Sequence, residues 1–140
     1  MALKVLNFGT QKVPTFKEAR GKDWILFGDE GEYKNRYPEY LLDLYRRSAK
    51  NHAIINSKKD YVVGKGWAVN AEGLDTMGHA RLEEFIKHPN QYESLNDILE
   101  KVALDYDLYN GFALEIVYNQ LNDKIAAIYH ADFARYRSNE

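Results

Sequence analysis

The residues best suited to chemistry are four histidines, His52, His79, His88 and His130, and a generous supply of carboxylates. A histidine metal site needs ligands at fixed spacing, and no HxxxH or HExxH pair sets two of these imidazoles on one helix face. His88, directly before Pro89, reads as a helix C-terminal residue, where a positive charge is welcome. His130 reads as a strand-end residue that hydrogen-bonds. Asp105 with Asp107 and Glu83 with Glu84 stand one or two positions apart, do not face each other on a helix, and are expected on solvated faces. Gly64-Lys65-Gly66 lacks the spacing of a phosphate loop and follows a helix where such loops follow a strand, so it reads as a turn. The chain has 0 cysteines, which excludes thiol nucleophiles, disulfides and Cys-based metal sites, and it has no GxSxG elbow. Arg46, Arg47, Lys50, Lys58 and Lys59, with Tyr45 and Tyr61 nearby, form a basic stretch that Asp43 and Asp60 dilute into a mixed helix face. No catalytic, cofactor-binding or metal-binding residue is assigned, and a nuclease or hydrolase reading rests on nothing better than scattered His, Asp and Glu, with His130 and Asp132 the residues whose mutation would test it.

The elements that would position these groups are clearer than the groups themselves. At 140 residues the chain is long enough for one domain with its own core. Its 19 basic and 21 acidic residues give a formal charge of -2, which offers no overall pull toward nucleic acid or an anionic membrane. No basic start leads into an apolar core segment, and no stretch approaches the ~18 apolar residues of a membrane span, so a soluble chain without a signal segment is expected. Aromatic residues make up 14%, with 11 tyrosines, a residue that suits half-wet contacts in a small core or between subunits.

Residues 1–36 read as an extended N-terminal arm, with a short strand at 3–8 and an apolar patch at Trp24 to Phe27 that either docks on the body or waits for a neighbour. Pro38 has the place of a first-turn proline and opens a helix. Either Ser48 caps a second helix with Ile54, Ile55, Val62 and Val63 on its apolar face, the reading favoured here, or the first helix runs through to Tyr61 by way of Ala49 and Ala53; Gly64 and Gly66 end the helical stretch before a short strand at Trp67 to Val69. A third helix starts at Asp75 and stops at His88 and Pro89. Ser94 with Asp97 has the spacing of a capping box, and Leu95, Ile98, Leu99, Val102, Ala103, Tyr106 and Tyr109 follow at helical steps until Asn110 and Gly111. Phe112 to Tyr118 alternates as a strand, and 125–130 returns as its partner. The hairpin's apolar face is expected to lie on the Ser94 helix, joined by a strand from the first seventy residues. The class is α+β: several helices packed on a small antiparallel β-sheet that contains a C-terminal hairpin, with 37–140 as the body. An uncovered sheet edge near Tyr129, together with Trp24, Phe27 and Phe133, supplies the candidate subunit contacts.

In order and spacing, these signals resemble the portal proteins of tailed bacteriophages, especially the prophage-type branch. The residues that carry the resemblance are His88, Pro89 and Asn90, then Asn110, Gly111 and Glu115, then His130, Ala134 and Arg137. Upstream they are Tyr37, Pro38, Leu41, Leu44, Ser48, Ile54, Gly64, Gly66 and Trp67. The family's usual Gly-Asn order stands here as Asn110-Gly111, and both residues tolerate positive φ. The likeness spans about Trp24 to Arg137 and corresponds only to the N-terminal, outer wing region of the longer portal subunits, so a portion of a longer protein is expected.

The resemblance implies a non-enzymatic viral structural protein: part of a ring of about twelve subunits at one capsid vertex, through which DNA is packaged and ejected. It also implies homo-oligomer contacts, capsid and terminase partners reached through the full-length protein, DNA met only in the assembled channel, and a place in the virion after assembly in the host cytoplasm. The alternative is a free-standing α+β interaction module with no role in DNA packaging.

Overall fold

The computed structural model describes residues 18–20, 25–27 and 34–137. Two strands, β1 (Glu18–Arg20) and β2 (Ile25–Phe27), pair antiparallel. Four helices follow: α1 (Tyr37–Arg47), α2 (Ala49–Val63), α3 (Thr76–Lys87) and α4 (Leu95–Tyr109). The strands β3 (Ala113–Tyr118) and β4 (Ile125–Ala131) then form the C-terminal hairpin, and a 3-10 turn at Phe133–Arg135 ends the described chain's regular structure. The class is α+β, as the periodicities predict. Trp24 and the expected strand at 3–8 lie outside the described residues. Within the segment expected as an arm, the chain doubles back as β1 and β2.

Local rules account for the helix ends. Pro38 sits in the first turn of α1, where its missing N–H would have had no partner anyway. The Ser48 hydroxyl accepts the Asn51 N–H, and the Asp75 carboxylate accepts the Gly78 N–H, each relieving an unpaired helix donor. Ser94 and Asp97 bond reciprocally as a capping box. Gly64, at φ 56°, closes α2, and Asn110, at φ 58°, closes α4 in the left-handed region. Gly111 has no room for a side chain, since a Cβ there would lie 2.8 Å from the Phe133 ring.

The hub is α4, which touches α1, α2, α3, β4 and the 3-10 turn. Among the described residues the buried apolar side chains are few: Pro38, Tyr45, Ile98, Ala103, Ala131 and Ala134, with Pro89 deepest. Helix α2 and the segment after it are tied to α4 by polar bonds as well as by packing. Lys58 and Lys59 of α2 reach Asp107 and Glu100 of α4, and Asn96 accepts the Trp67 N–H at 2.7 Å.

Three expectations are corrected. Trp67 to Val69 forms no strand; Asn96 holds this backbone, and no strand among the described residues offers it a ladder. The apolar face assigned to α2 is largely uncovered, because neither α2 nor α3 has a buried residue and Ile54 and Val62 are exposed. Among the described residues the hairpin does not lie flat on α4 or gain a third strand: the two sheets are separate, and Leu114, Ile116, Val117 and Tyr118 are exposed. The end of β4 comes down onto the helix at His130, which bonds Asp105.

Candidate functional site

At that end of β4, His130 and Asp105 form the most enclosed polar pair among the described residues. His130 Nε2 lies 2.8 Å from Asp105 Oδ2, and Asp105 is 7% exposed. The backbone N–H of Phe133 also favours the charged form of this carboxylate. Burial pushes the Asp105 pKa up, an effect that His130 and the Phe133 N–H oppose without cancelling and that Asp132 reinforces. Tyr109, one turn further along α4, is pushed up to about 12 by its burial, with the charges of Asp105 and Asp132 adding to it. Chemically the pair is a clasp: one carboxylate holds the end of a strand against a helix. Among the described residues no three His, Asp or Glu converge as a metal's ligands, and Asp132, the other residue of the hydrolytic reading, caps the 3-10 turn through the Ala134 N–H.

The solvated-face expectation for Asp105 and Asp107 is therefore corrected. Asp105 shares the stripe of Ile98, Val102 and Tyr109, at three- and four-residue steps, and that stripe faces inward. Tyr106, read as core, is 55% exposed instead. The signal was present in the spacing, but a carboxylate on the stripe reads as surface until its partners, 25 residues on, are known.

Beside the clasp lies a cavity of about 650 Å³ between α1, α2, the end of α4 and the 3-10 turn. Its described walls include the rings of Phe27, Tyr37, Tyr106, Tyr109 and Phe133. The Phe133 ring stacks on Tyr109 at 5.7 Å and meets Phe27 at 5.9 Å, and the Arg137 guanidinium covers Phe27 at 4.9 Å. Phe27 thus docks on the body, and with Phe133 it builds an internal wall. The polar side of the cavity is Lys58 and Asp107, 2.5 Å apart. The Asp107 side chain is 10% exposed, and its Oδ2 is buried with no hydrogen-bond partner.

The third feature is the hairpin edge. Ile128 of β4 donates its N–H to the Pro89 carbonyl at 3.1 Å, and its carbonyl accepts from Asn90 Nδ2 at 2.8 Å. Asn90 Oδ1 in turn accepts the Tyr92 and Glu93 N–H groups. The His-Pro-Asn break therefore covers the outer side of β4 like a fragment of a third strand. Tyr129, on β4, is half-buried opposite Glu115, so the edge left open is not beside it but along β3. Ile116 faces Ile128 across the ladder. Antiparallel alternation turns the backbone groups of Leu114 and Ile116 outward when those of Ile128 point away from β3.

Of the sequence-predicted contact residues, the structure brings Phe27 and Phe133 together, sets Tyr129 apart from them on β4, and leaves Trp24 outside the described residues. The turn and cap residues Pro38, Gly64, Gly66, Pro89, Ser94, Asn110 and Gly111 stand where chain direction changes. Comparison with protein-family models, curated proteins and solved structures finds no significant match to this chain.

Proposed function

We propose that this chain is a structural subunit that works through contacts with other chains, in the manner of the wing region of a phage portal ring. The observation that carries the reading is the hairpin: Leu114, Ile116, Val117, Tyr118 and Ile125 are exposed together on a strand pair whose β3 edge has no neighbour among the described residues. A two-stranded ribbon with apolar side chains in water is marginal alone and is stabilised by addition of a strand or a covering surface. The resemblance through His88 to Asn90, Asn110, Gly111, Glu115, His130 and Arg137 supplies the identity of the assembly. DNA packaging and ejection, capsid and terminase contacts, and location in the virion belong to that assembly as a whole. Native mass spectrometry of the chain, and of any longer product of its gene, tests the reading. A closed ring is the expected result; a monodisperse monomer from every product at high concentration would overturn it.

A further inference from the structure

We draw no further inference here: the strongest candidate, the open β3 edge of the C-terminal hairpin with Leu114, Ile116 and Val117 exposed along it, is the surface on which the proposed function already rests, and nothing in the structure shows what covers it.

Discussion

Asp105 shows how much one residue's environment decides. Its carboxylate lies on the inward stripe of α4 and is largely removed from water, yet it keeps His130 as a hydrogen-bond partner. Because burial raises its folded-state pKa above the ordinary 3.8, the sign of the linkage follows. The folded chain binds the proton more tightly than the unfolded chain, so this group's contribution is greatest below its ordinary value and is lost as pH rises through the folded value. Asp105→Asn removes that titration while keeping an acceptor for the clasp. The melting temperature of the wild type relative to Asp105→Asn should therefore fall as pH is raised from 3.5 through the carboxylate range, by about 1 kcal/mol or more in stability for each unit of raised pKa. A difference independent of pH would mean that the carboxylate is not buried in solution.

At the scale of elements, the helices were legible because their ends are decided within four or five residues. Ser48, Asp75, Ser94 with Asp97, and Asn110 act through local hydrogen bonds or a positive φ, and each does so where the sequence pattern places it. What spacing did not disclose are the bonds that span the chain. The Trp67 segment is held by Asn96, the outer side of β4 by Pro89 and Asn90, and Asp107 by Lys58. Each joins residues far apart in sequence, and neither partner's immediate neighbours give the pairing away. Gly66 is where local and distant requirements meet. Its φ is +77°, and a Cβ there would lie 2.4 Å from Asn96 Oδ1, the acceptor that holds Trp67. Gly66→Ala would add left-handed strain and force Asn96 off that bond, a loss of about 2 kcal/mol or more in chemical denaturation. Gly73→Ala, at φ +78° with nothing within 4 Å of the added carbon, is the control: it carries the backbone strain alone and should cost about 1–2 kcal/mol.

The molecule as a whole divides into a well-tied end and an uncovered one. Around the C-terminal half of α4, the clasp, the Phe27–Phe133–Tyr109 ring contacts and the Lys58–Asp107 pair hold α1, α2 and the chain end together. The hairpin leaves this body with apolar residues on both faces and the backbone groups of Leu114 and Ile116 turned outward. If those residues serve contacts between chains, a charge placed among them leaves the isolated fold nearly unchanged and removes the association. Ile116, 45% exposed at the centre of β3, is the position to test, since a lysine on an edge strand opposes pairing with an incoming strand. Ile116→Lys should change the unfolding free energy by no more than about 0.5 kcal/mol, the ordinary range for a surface substitution, while the assembled mass measured by light scattering falls and binding of a hydrophobic dye decreases. The opposite pattern is equally readable. A loss of about 2–5 kcal/mol, the range for removing a buried isoleucine contact, with assembly intact would place Ile116 in the chain's own core and shift the subunit contacts away from the hairpin, toward the helices α2 and α3 whose apolar side chains are also left in water.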